Sequence, residues 1–109
     1  MTGTAERLAV GALLAALAAP LFGQDGEKFA EDQIKQGAAI YAQNCAPCHG
    51  PRMRDPDAAF DLRKFPPDAK GRFVNSIMKG KNQMPPWADL LKPADVDALW
   101  AYVITEQKQ

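Results

Sequence analysis

Apolar residues crowd the start of the chain and then recur at helical spacing in three later stretches. The first run, Leu8 to Phe22, is about 15 residues long, is interrupted by Pro20 and follows a short polar start containing Arg7. It reads as the hydrophobic region of a secretory signal peptide covering 1–23, with small residues offering cleavage near 18 or 23. A transmembrane span needs roughly 20 apolar residues. A retained, periplasm-facing membrane anchor is therefore the alternative, and Glu6 beside Arg7 makes the start less positive than usual. Residues 24–109 then form one small domain.

The rest of the pattern is all helical. In "EDQIKQGAAIYAQN", Ile34, Ala38 and Tyr41 recur on one face, with Gly37 beside them and Gln33, Lys35, Gln36 and Gln43 as polar positions. "PRMRDPDAAFDLRKFPP" is punctuated by Pro51, Pro56, Pro66 and Pro67 and reads as loop with one short turn of helix. Asp68 is placed to cap a helix over "AKGRFVNSIMK", which has Phe73 and Ile77 as its stripe and Gly80 as its stop. "KNQMPPW" is a loop, because consecutive prolines remove donors and disfavour helix before them. The last helix has Pro93 at its first position and Asp95 near its N-terminal dipole, followed by Val96, Leu99, Trp100 and Val103. Strand alternation and internal repeats are absent.

Composition narrows the function classes. Lys+Arg and Asp+Glu both total 13, and this balance offers no reason to expect nucleic acid as a partner. A domain left after removal of a leader is close to the size at which an apolar core struggles against chain entropy. A disulfide between the two cysteines would close a tiny loop of little stabilising value. Something else is expected to complete the core.

That expectation gives weight to "NCAPCHG". The chain has two cysteines and one histidine, and Cys45, Cys48 and His49 fall within five consecutive positions. Cys-x-x-Cys-His is the attachment sequence for a c-type haem. Two thiols three residues apart can reach the two vinyl groups on one porphyrin edge, and the adjacent imidazole reaches the iron. Structural zinc takes four Cys or His donors, one more than the chain offers. A thiol-disulfide oxidoreductase is the better competitor, but its cysteines open a helix after a strand, whereas these close a helix.

His49 is thus the proximal iron ligand and Met84 the distal one. Met84 sits in the rigid "QMPPW" loop, where a thioether can be held over the other haem face. Met78 lies on the apolar stripe with Phe73 and Ile77, so packing accounts for it, and Met53 follows the motif too closely to reach the far face without a wrapped loop. The alternative is an open distal site for small-ligand binding or peroxidase-like chemistry. No hydrolytic triad, metal-carboxylate cluster or phosphate-binding glycine loop is present, and no catalytic residue is assigned.

On these residues the chain resembles the mono-haem class I cytochromes c over 29–109. Gly37 and Tyr41 stand eight and four residues before Cys45, where that family has a glycine and an aromatic. Leu99 and Tyr102 match the hydrophobic and aromatic positions of its last helix. The resemblance implies an all-α class I cytochrome c fold in which the N- and C-terminal helices cross, Gly37 allows close approach, and loops and short helices wrap one covalent haem c. It also implies that a proline carbonyl after the motif accepts the proximal histidine's N–H, and Pro56 is the nearest equivalent. A finer resemblance, carried by "FDLRKFP", "RFVNSIMKGKNQMPPW" and "LWAYV", is to small periplasmic cytochromes that accept electrons from quinoprotein alcohol dehydrogenases.

The implied function is a periplasmic one-electron carrier between a dehydrogenase donor and an oxidase or other cytochrome acceptor. Charge layout adds a hint about partners. From Arg52 to Lys81 eight cations face four aspartates, a local excess of four positive charges. These cations are candidates to pair with haem propionates or to steer an acidic partner.

Overall fold

The computed structural model describes residues 28–109, and the segment read as a signal peptide lies outside them. Four α-helices follow in order: α1 (Glu31–Asn44), α2 (Ala46–His49), α3 (Lys70–Lys79) and α4 (Pro93–Gln107). Two 3-10 turns, Pro51–Met53 and Leu62–Lys64, lie in the proline-rich stretch where one helical turn was expected. Among the described residues no strand forms, and extended pairing is limited to an isolated bridge between Lys81 and Met84. The all-α expectation holds.

The ends of α1 and α4 follow from local chemistry. Glu31 and Asp32 place negative charge in the first turn of α1, where the helix dipole favours it. Pro93 opens α4, and the Asp95 carboxylate accepts the Lys92 N–H at 2.9 Å. The other oxygen of Asp95 accepts Gln36 Nε2 at 3.2 Å, tying α1 to the start of α4. At α3 the expected Asp68 cap is not used. The N-cap is Ala69, which makes no side-chain bond. Ala69 N–H donates to Pro66 O at 3.1 Å, and this turn after the proline pair starts the helix one residue later than Asp68 could cap.

The core is organised around α4. Val96 and every residue from Ala98 to Ile104 are buried, far more than the single stripe its spacing suggested. The reason is that α4 is enclosed on several sides: α1, α3 and both 3-10 turns pack against it. Full burial of each large apolar side chain contributes about 1.5–3 kcal/mol. Phe65, Phe73 and Trp100 form the densest part, with Phe65 edge-on to Phe73 at 5.6 Å and to Trp100 at 6.1 Å.

The α1–α4 crossing is a backbone contact. A Cβ built on Gly37 would stand 1.9 Å from the Ala98 carbonyl oxygen and 2.9 Å from Tyr102 Cβ. Only glycine permits that approach. One turn on, the Tyr41 and Tyr102 rings meet at 5.1 Å, so the helix crossing implied by the resemblance is present.

Candidate functional site

The Cys45–His49 segment begins where α1 ends. Cys45 N–H donates to Tyr41 O at 2.8 Å, and Cys48 N–H and His49 N–H both turn back to Cys45 O, at 3.1 and 2.9 Å. The two thiols are free and stand on one helical turn, Cys45 half-buried and Cys48 exposed. Gly50 ends the turn at φ 88°, ψ 151°, a region open almost only to glycine. A Cβ there would lie 1.7 Å from Arg54 O. The buried Tyr41 hydroxyl donates to Gly50 O at 2.6 Å, which anchors the end of the motif to the helix crossing.

The loop that follows is strained and held in place. Arg52, Met53, Asp55 and Asp57 all have positive φ, between 53° and 64°. Met53 is fully buried in the core, so packing accounts for it. Arg52 pairs with Glu106 of α4 at 2.8 Å. At the far end of the loop His49 Nδ1 lies 3.0 Å from the carbonyl oxygen of Phe60. This corrects the expectation of Pro56: the carbonyl that meets the imidazole comes four residues later.

The contact has a chemical consequence. A carbonyl can only accept, so Nδ1 is the donor, and in the neutral ring Nε2 keeps the lone pair of a metal ligand. Two thiols and an imidazole on one short segment suit an iron porphyrin held through its edge. Cys45 is not set up as an exchange nucleophile. Burial, followed by the neighbouring Cys48, pushes the Cys45 thiol up to about 11, whereas exchange nucleophiles have lowered values.

Met84 lies in a separate segment after α3. Lys81 N–H donates to Met84 O at 3.0 Å and Met84 N–H to Lys81 O at 2.9 Å, closing a tight turn around Asn82 at φ 55°. Gly80, at φ 81°, lets this turn fold back on α3, since a Cβ there would stand 2.8 Å from Met84 O. Trp87 N–H caps the Ile77 carbonyl at 2.8 Å. Met84 is half-buried against the core, as are Met78 and Trp87. Among the described residues no hydrogen bond joins this turn to the Cys45–His49 segment.

Similarity to known proteins gives the chain's family. Residues 32–103 match the family described as "Cytochrome C oxidase, cbb3-type, subunit III". The chain belongs to the cytochrome c family. It is 31% identical over 78 residues to Cytochrome c6 of Microcystis aeruginosa, covering 67% of this chain and 96% of that one. It is 35% identical over 75 residues to Cytochrome c550 of Pseudomonas aeruginosa, covering 62% and 50%. It is also 33% identical over 73 residues to Quinohemoprotein alcohol dehydrogenase ADH-IIG of Pseudomonas putida, covering 65% of this chain but spanning only 10% of the dehydrogenase. No solved structure matches the chain significantly. The cofactor of this cytochrome is a covalently bound haem c, and its chemistry is electron transfer.

Sequence reasoning missed several residues that build the cytochrome's site. The Phe60 carbonyl is invisible to motif reading, because any residue carries one. The bonds of Gln107 Nε2 to Leu62 O and Phe65 O, at 2.9 and 2.8 Å, join segments more than forty residues apart. The basic stretch is also less free than its composition suggests. Arg52, Arg63 and Lys70 pair with Glu106, Asp61 and Asp97, and Arg72 lies 4.8 Å over the Phe65 ring. Among the described residues Arg54, Lys64, Lys79 and Lys81 make no ion pair.

Proposed function

We propose that this cytochrome is a one-electron carrier of the bacterial periplasm in which Cys45 and Cys48 hold the haem through thioethers, His49 is the proximal iron ligand and Met84 the distal one. When bound, the haem supplies one-electron redox chemistry at its iron. The observation that carries the reading is the 3.0 Å contact between His49 Nδ1 and Phe60 O, which leaves Nε2 basic next to two free thiols. The clamped turn at Lys81–Met84 supports Met84, because a weak thioether ligand needs a rigid mount. With His49 and Met84 both holding the iron, no position would be left open for peroxide or a small ligand, which favours electron carriage.

A quinoprotein dehydrogenase is the proposed donor, a reading supported by the similarity to a stretch of a quinohemoprotein alcohol dehydrogenase. An oxidase or another cytochrome is the proposed acceptor, in keeping with the oxidase named in the family description. Export by a leader over 1–23 accounts for the periplasmic assignment, and among the described residues no helix is long and apolar enough to cross a membrane. Arg54, Lys64, Lys79 and Lys81 are the cations left to steer an acidic partner, with association rates that fall as salt rises.

Absorption spectra of the ferric and dithionite-reduced protein, taken before and after acid-acetone extraction, test the reading. Haem that stays with the polypeptide and a long-wavelength ferric band from methionine ligation are expected. Extractable haem would overturn the thioethers, and a missing band would overturn Met84 in favour of an open distal site.

A further inference from the structure

The Phe60 carbonyl that meets His49 is a backbone atom, so its direction is set by whatever holds residues 60–65. That corner is held from within and from without. Within it, Asp61 Oδ1 accepts the Arg63 N–H at 3.0 Å, and Lys64 N–H donates to Asp61 O at 2.9 Å, closing the 3-10 turn Leu62–Lys64. From outside, Gln107 on the last turn of α4 lies across the corner. Its Nε2 stands 2.9 Å from Leu62 O and 2.8 Å from Phe65 O, so both hydrogens of one amide are committed to the two ends of the turn. Glutamate or leucine of similar size could not do this, since neither has an N–H to donate. The Phe65 ring pins the same corner by packing edge-on against Trp100.

A hydrogen bond weakens steeply as its angle opens. A corner free to rock would therefore turn the Phe60 carbonyl away from the imidazole. An Nδ1–H that donates to a fixed carbonyl makes Nε2 a stronger electron donor, and a stronger donor favours ferric over ferrous iron.

We propose that Gln107 and Asp61 are positioning residues for the axial histidine: by locking the 60–65 corner they aim the Phe60 carbonyl at His49 Nδ1 and so hold the reduction potential down. The inference rests on the reading of His49 as an iron ligand. It assigns a tuning role to a side chain 58 positions from the histidine in sequence, on the far end of the helix that forms the core.

The test uses the full-length holoprotein and two variants. Gln107→Met keeps the length and bulk of the side chain but removes both donors, and Asp61→Ala removes the inner cap at a partly exposed position. The reduction potential and the exchange rate of the His49 Nδ1–H in the ferrous protein are measured for each. Both variants should shift the potential positive and speed the exchange, whereas a purely structural role would lower the unfolding midpoint and move neither. If Gln107→Met does not fold, Asp61→Ala carries the same expectation alone. Histidine-ligated wild-type haem together with folded variants whose potential and exchange are unchanged overturns this inference alone. Wild-type haem without histidine coordination overturns the reading of His49 and the inference with it.

Discussion

Gly37 lies where α1 crosses α4, and Gly80 lies where α3 gives way to the turn that carries Met84. Both are glycine because a Cβ would strike backbone: Ala98 O at 1.9 Å in the first case, Met84 O at 2.8 Å in the second. The neighbours differ in kind. Those of Gly37 belong to another helix some sixty residues on, so any side chain there must push apart the two elements on which the core depends. Those of Gly80 belong to its own chain four to six residues later, and its φ of 81° adds a purely local demand. One region is rigid through packing and the other through backbone conformation. The protein thus separates the contact that holds its core from the one that shapes the Met84 turn.

The largest effect is expected where that separation is attacked at the crossing. Gly37→Val should cost about 3 kcal/mol, in the range of severe overpacking, and should sharply lower the yield of holoprotein. A chemical unfolding midpoint near that of wild type would mean that the helices can separate cheaply and that the crossing is not the keystone inferred here. Gly80→Ala should cost about 1–3 kcal/mol, the usual penalty for a glycine-only backbone conformation. Its diagnostic effect is elsewhere: the ferric methionine band should weaken or vanish while the helical circular dichroism persists. Retention of the band in a folded Gly80→Ala protein would show that the turn tolerates the side chain.

Tyr41 joins the two regions, since its ring packs at the crossing and its hydroxyl reaches Gly50 O. Removing the hydroxyl with Tyr41→Phe should cost about 1 kcal/mol, the net value of a buried hydrogen bond. There is also a pH signature. Burial, then the neighbouring Tyr102, holds the Tyr41 phenol protonated well above its ordinary value of 10.0. The unfolded chain therefore loses this proton first as pH rises, so the stability is fully present below about pH 10 and declines above it. Thermal melts across the alkaline range should show a shallower decline for Tyr41→Phe, and parallel curves would remove Tyr41 as the source.

The smallest effect belongs to the surface. Lys70 and Asp97 pair at 3.2 Å with side chains 47% and 49% exposed. Lys70→Ala should cost at most about 0.5 kcal/mol in low salt and nothing measurable in high salt. A larger, salt-independent loss would indicate that the pair fastens α3 to α4.

Legibility in the sequence followed the range of the forces involved. The bounds of α1 match the periodic stretch residue for residue, and Pro93 opens α4 as its position suggested. These depend on neighbours within a turn. The Asp68 cap failed because the turn from Pro66 to Ala69 moved the start of α3, a local competition that residue types alone do not rank. Pro56 failed as the partner of His49 because a carbonyl belongs to every residue, and only the path of the strained 50–57 loop decides which one arrives.

Residue types and spacing by themselves determined the helical class and the clustered cysteines and histidine, while the crossing of α1 on α4 at Gly37 came from the family resemblance. Periodicity, covalent spacing and the scarcity of Cys and His are written directly in the chain. The tertiary structure alone decided that α4 is buried on nearly all sides, that half of the basic stretch is already partnered, and that Gln107 grips the corner behind Phe60. Those facts depend on groups distant in sequence and often on backbone atoms whose identity no side chain announces. They exist only once the chain has closed on itself.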